Sequence, residues 1–106
     1  MPKYLLHASY TAEGVKGLMK EGGTKRRAHI EELIKKLGGK MEAFYYTFGS
    51  DDVVVISDLP DATTAVAVGL AVNASGTVRA KTTVLLTPEE IDQATKKQIG
   101  YRAPGT

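Results

Sequence analysis

The chain has no cysteine. That excludes disulfide frameworks, thiolate metal sites and cysteine nucleophiles, and it fits a reducing compartment. Histidine is nearly as scarce. His7 and His29 are the two present, and their spacing rules out an i, i+4 metal pair on a helix. No apolar run approaches the roughly 18 to 20 residues of a membrane span, and the amino terminus opens as a strand rather than as a signal peptide. Cytoplasm is the expected location, with no membrane partner. A formal net charge of +2 is too small to argue for nucleic acid.

What remains is ordinary globular composition, with 42% hydrophobic and 25% charged residues. Residues 1–106 are expected to form a single domain. A chain of this size can bury one core but has little left for a deep private pocket, so a cavity forms more easily between subunits. Charge is unevenly spread. Between Lys16 and Lys40 lie eight of the 14 basic residues against three acids. A solvated helix face explains this more simply than a phosphate-binding patch.

The chain is organised around Phe44 to Asp58. Phe44, Tyr45, Tyr46 and Phe48 are four of its seven aromatics, and Val53 to Ile56 are four consecutive β-branched residues. Two strands, Lys40 to Phe48 and Asp52 to Ser57, are predicted to fold back around Gly49-Ser50-Asp51-Asp52. In that turn Gly49 supplies backbone freedom, and Asp52 fixes the hairpin by accepting backbone N–H bonds. Because Val53 to Ile56 does not alternate with polar residues, both faces of that strand should be covered.

Lys3 to Tyr10 reads as the first strand, with Tyr4, Leu6, Ala8 and Tyr10 on one face and Lys3, Leu5, His7 and Ser9 on the other. Thr11 caps a helix that Gly22-Gly23 breaks. A second stretch, capped by Thr24, carries Ile30, Leu33, Ile34 and Leu37 at helical spacing and ends at Gly38-Gly39. Asp61 caps a helix over Ala62 to Val72, within which Gly69 suggests close packing on a sheet. Thr77 to Leu86 is the last strand, and Thr87-Pro88-Glu89-Glu90 opens a short C-terminal helix. Gly100 to Thr106 reads as a loose tail.

This order predicts an α+β fold of the ferredoxin-like βαββαβ kind, with a four-stranded antiparallel sheet and helices on one face. The other face then needs a cover. Two sheets stacked face to face would provide it, which predicts a homodimer or a higher even oligomer.

Phe48-Gly49-Ser50-Asp51-Asp52-Val53-Val54-Val55, with Leu59-Pro60-Asp61, Ser75-Gly76-Thr77-Val78-Arg79, Tyr10-Thr11 and Gly14, and the Leu37-Gly38-Gly39 helix end, resembles the GYD-domain proteins. The resemblance runs from Tyr4 through Leu86. The family signature, Gly-x-Tyr-Asp, keeps Gly49 and Asp52 here, while Asp51 stands at the tyrosine position. The resemblance implies a dimeric α/β-barrel built from ferredoxin-like protomers. It implies no particular activity.

Among residues able to carry chemistry, His7 comes first, as an acid/base on the strand face away from the helices. Ser9, Tyr45, Tyr46, Arg79 and Lys81 are the accompanying ligand-binding candidates, able to hold an anionic or carbonyl-bearing molecule. Against this stand a satisfied interface histidine and simple ion pairing of Arg79 and Lys81 with Asp51 or Asp52. Asp51, Asp52, Asp58 and Asp61 do not follow a calcium-loop spacing, so no metal is expected. No cofactor is expected either. Gly17 with Gly22-Gly23-Thr24 lacks the lysine of a phosphate loop, and Val53 to Ile56 lacks the exposed rings of an RNA-recognition domain.

Three functions follow. The first is a protein binding a small metabolite in an inter-subunit cavity. The second is a cofactor-independent, monooxygenase- or isomerase-like enzyme using His7, with Arg79 holding a developing anion. The third is a purely structural oligomerisation domain. The sequence leaves open whether there is any catalysis.

Overall fold

In the computed structural model, which describes residues 1–106, the elements are β1 (Lys3–Tyr10), α1 (Ala12–Glu21), α2 (Gly23–Lys36), β2 (Lys40–Tyr46), β3 (Val53–Asp58), α3 (Ala62–Ala74), β4 (Val78–Leu85) and α4 (Pro88–Thr95). The four strands form one antiparallel sheet in the order β2-β3-β1-β4. None of the helices is long and apolar enough to cross a membrane.

Strand alternation decides the two faces. Tyr4 and Ala8 of β1, Val53 and Val55 of β3 and Val78 of β4 are buried together with Ile34 of α2, Leu59 and Ala65 of α3 and its approach. Leu6, Tyr10, Phe44 and Tyr46 pack around this cluster. The intervening residues Leu5, His7, Ser9, Val54 and Ile56 point to the opposite face and are only half-buried. The expectation that one face lacks cover from the chain's own helices is met.

The first helix does break, and the reason is a backbone torsion. Gly22 sits at φ 89°, where a side chain would be strained, and it terminates α1 and precedes α2. Gly22, not Thr24, therefore stands at the N-cap of α2, and no side chain caps it. Gly14 has a different role. A Cβ there would lie 1.9 Å from the Thr77 carbonyl oxygen, so α1 can rest on the start of β4 only because that position is bare. Gly69 proves less demanding, since a Cβ would meet Thr82 Oγ1 at an ordinary 3.6 Å.

The first hairpin strand is two residues shorter than expected and the second is shifted by one, with residues 47–52 forming the connection. Its left-handed residue is Phe48, at φ 45°, and Gly49 has neither a positive φ nor a close neighbour. Closure comes instead from Thr47, whose N–H donates to the Asp52 carbonyl at 2.8 Å and whose hydroxyl donates to the Asp51 carbonyl at 2.6 Å. The expected structural role of Gly49 is thus corrected, because side-chain and backbone hydrogen bonds hold the turn.

The chain exposes an unusual amount of surface. At 11.4 kDa a folded monomer is expected to expose about 5,800 Å², whereas this one exposes 7528 Å². Its radius of gyration is 16.9 Å, against about 13 Å for a compact chain of this length.

Candidate functional site

The uncovered face of the sheet brings together five of the six expected site residues besides the hairpin pair. β1 contributes His7 and Ser9. On β4, Lys81 lies directly across from His7 and Arg79 directly across from Ser9. Tyr45 joins from β2 through Val54, which pairs with Tyr45 on one side and with His7 on the other. Antiparallel register thus aligns Tyr45, Val54, His7 and Lys81 in one row across the sheet, with neighbours about 5 Å apart.

His7 is held at both nitrogens. Its Nδ1 lies 3.1 Å from Asp51 Oδ2, and its Nε2 lies 3.2 Å from Thr83 Oγ1. A carboxylate only accepts, so the proton on Nδ1 faces Asp51, and in the neutral ring Nε2 accepts from the Thr83 hydroxyl. Ser9 Oγ donates more weakly to the other carboxylate oxygen, at 3.5 Å. Asp51 therefore anchors His7 and Ser9 together from the tip of the hairpin.

Asp52 does stabilise the hairpin region, its side chain acting across strands while its carbonyl closes the turn. Its Oδ2 accepts the Tyr10 N–H at 2.8 Å, and its own N–H donates to the Ala8 carbonyl at 2.9 Å. The two aspartates thus divide the work, Asp52 fixing the backbone of β1 and Asp51 fixing the side chains that β1 presents.

With both carboxylates engaged, Arg79 and Lys81 form no ion pair with either. The pairing weighed for them from sequence is not made. Both are exposed, on the same sheet face as half-buried Leu5, Val54 and Ile56. At the far end of the same face, Lys3 Nζ bridges Glu42 Oε2 at 2.6 Å and Asp58 Oδ1 at 3.0 Å. These hydrogen bonds, that to Glu42 foremost, raise the Lys3 pKa above its ordinary value. A bulge between Met41 and Ala43 turns Glu42 toward Lys3.

Tyr46 does not belong to this group. It lies on the helix side of β2, where its hydroxyl donates to the Gly23 carbonyl at 3.1 Å and its ring meets Phe44 edge-on at 5.2 Å. Burial raises its pKa. Burial, chiefly, also pushes the Tyr10 hydroxyl up to about 12, with Tyr46 and Arg26 close by. Alternation along β2 separates the two tyrosines, leaving Tyr45 as the ring on the His7 face.

Thr83 was not singled out from sequence, and Asp51 was weighed there as a partner for Arg79 or Lys81, not for His7. Thr83 shares a face with Arg79 and Lys81 by simple alternation, but its contact with His7 depends on the β1–β4 register. The partnership of Asp51 with His7 spans 44 residues and has no local signal. His29, off the helix stripe as expected, pairs on the surface with Glu21 at 3.2 Å. No group of three or more His, Asp or Glu side chains is placed to hold a metal ion.

Neither a curated protein nor a solved structure matches the chain. A family model, described as the GYD domain, matches residues 4–95, and this protein belongs to that family.

Proposed function

We propose that the protein is a homo-oligomer of ferredoxin-like protomers whose uncovered sheet faces stack as a dimeric α/β-barrel and enclose a small metabolite carrying an anionic group. One observation carries this reading: Arg79 and Lys81 stand unpaired on the uncovered face, beside a His7–Asp51–Ser9 cluster that is already internally satisfied. Water satisfies cations on an open surface. Once a second sheet removes that water, each requires an anion, and no carboxylate of this chain is placed to provide one. Leu5, Val54 and Ile56 supply apolar area for sheet-on-sheet packing at about 10 Å spacing. The chain's exposed surface supports a second copy as well. It exceeds the expectation for a monomer by about 1,700 Å², more than the roughly 800 Å² per partner of a standard interface.

The test is native mass spectrometry of the purified full-length chain, alongside an Arg79→Ala/Lys81→Ala variant. An even-numbered oligomer with a non-covalent adduct, lost in the variant, is the expected result. The same adduct in both proteins would exclude these two cations as its holders. An oligomer with no adduct in either would favour the purely structural role.

The hydrogen bond from His7 Nδ1 to Asp51 favours a second reading, catalysis. A carboxylate on one imidazole nitrogen fixes the ring's tautomer and orientation, and Nε2 then faces a threonine hydroxyl able to pass a proton. In that case His7→Ala abolishes turnover of the bound molecule while oligomer mass and adduct are retained.

A further inference from the structure

Two parts of this chain lack a partner, and their charges are opposite. The first is α4. Thr87 and Glu90 form a complete capping box at its start, yet none of its residues is buried. Ile91 is exposed, and beyond the helix so are Ile99 and Tyr101. An eight-residue helix does not persist alone in water, because nucleation is not repaid below about 12 to 15 residues. Glu89, Glu90 and Asp92 give it three negative charges with no basic residue before Lys96.

The second is a groove of about 490 Å³ between α1, the start of α2 and the β1/β4 end of the sheet, walled by Tyr10, Gly14, Leu18, Lys20, Lys25 and Arg26. Lys20, Lys25 and Arg26 pair with no carboxylate. Of the two acids at its rim, Glu21 is engaged by His29, and Glu13 sits in the first turn of α1. Gly17 lines the groove with no side chain. Beside it Met19 is exposed.

The chain's own α4 cannot fill this groove. Val78, at the groove, and Leu85, paired with Lys3, mark opposite ends of β4. Eight residues of strand separate them by about 25 Å. Only Leu86 and Thr87 link β4 to α4, too few to return that distance.

We infer that α4 of a second copy docks in the groove, with Glu89 and Asp92, three residues apart on one helix face, toward Lys20, Lys25 and Arg26. Charge complementarity selects the occupant. A reciprocal exchange about a two-fold axis closes the assembly, so each copy both gives and receives an arm. All the residues involved lie off the His7 face, so this contact stands or falls independently of the proposed ligand site.

Two variants of the whole chain test it: Lys25→Glu/Arg26→Glu, which reverses the groove, and Glu89→Lys/Asp92→Lys, which reverses the arm and keeps the Thr87–Glu90 capping box. By sedimentation equilibrium at low salt, each alone should associate about tenfold more weakly than wild type, with unchanged circular dichroism. Mixed together, the two variants present complementary arm and groove in both directions. Native mass spectrometry should then show mixed assemblies in excess over either variant's own. Unchanged association of the single variants, or a merely statistical mixture, would overturn the inference.

Discussion

The two faces of the sheet differ in what completes them. Along β1, Tyr4 and Ala8 are 5% and 2% exposed under the helices, while Leu5, His7 and Ser9, one residue away in each case, are half-covered. The helix face holds the buried core, in which every buried polar side-chain atom has a hydrogen-bond partner. The opposite face carries hydrophobic residues and two cations with no partner in the chain. The same alternation that builds a core on one side thus leaves the other side without cover from this chain's helices.

Substitutions in adjacent residues of β3 give the largest contrast. Val55→Asp places a charge in the core and should cost about 3 kcal/mol or more of unfolding free energy. Val54→Asp should change protomer stability by less than about 1 kcal/mol but lower the assembly's mass in light scattering. Equal destabilisation in urea titrations would erase the distinction between faces.

Two glycines should separate next. Gly14→Ala drives a Cβ into the Thr77 carbonyl and should cost about 2 kcal/mol, whereas Gly49→Ala should stay within about 0.5 kcal/mol; thermal melts distinguish them. The paired aspartates sharpen the comparison further. Asp52→Ala orphans the Tyr10 N–H and should cost about 1 to 2 kcal/mol. Asp51→Asn should leave stability nearly intact while shifting the imidazole NMR signals of His7.

The smallest effect is one of pH. Tyr10 titrates near pH 10 when unfolded and at about 12 when folded, so the folded state holds its proton more tightly. Its contribution is fully present below pH 10 and is lost as pH rises from about 10 to about 12. Tyr10→Phe should flatten the stability profile in that window alone.

Much of the architecture was legible because it rests on local periodicity. Tyr4 through Tyr10 alternate, Ile30 to Ile34 keep helical spacing, and Thr87-Pro88-Glu89-Glu90 caps α4 as its pattern requires. The turn was less legible, because Thr47 and a left-handed Phe48 do what Gly49 was expected to do. Such a choice depends on hydrogen bonds that close only when the strands meet. The candidate site was half-legible. Alternation put His7, Ser9, Arg79 and Lys81 on one face, but the Asp51–His7 and Thr83–His7 contacts depend on register between distant strands. Tyr45 and Tyr46, adjacent in sequence, needed the direction of the β2 pleat to be told apart. The apolar character of α3 was plain, but its consequence was not: Val66 and Leu70 are 56% and 67% exposed, and the small residue Ala65 makes the buried contact.

The most direct test of the account is the native mass of the full-length chain at micromolar concentration, measured for wild type and for Val54→Asp. The expected result is an even-numbered wild-type oligomer that Val54→Asp shifts to smaller species while the protomer stays folded. A wild-type monomer, or an oligomer indifferent to Val54→Asp, would contradict the claim that the uncovered sheet face is where copies meet.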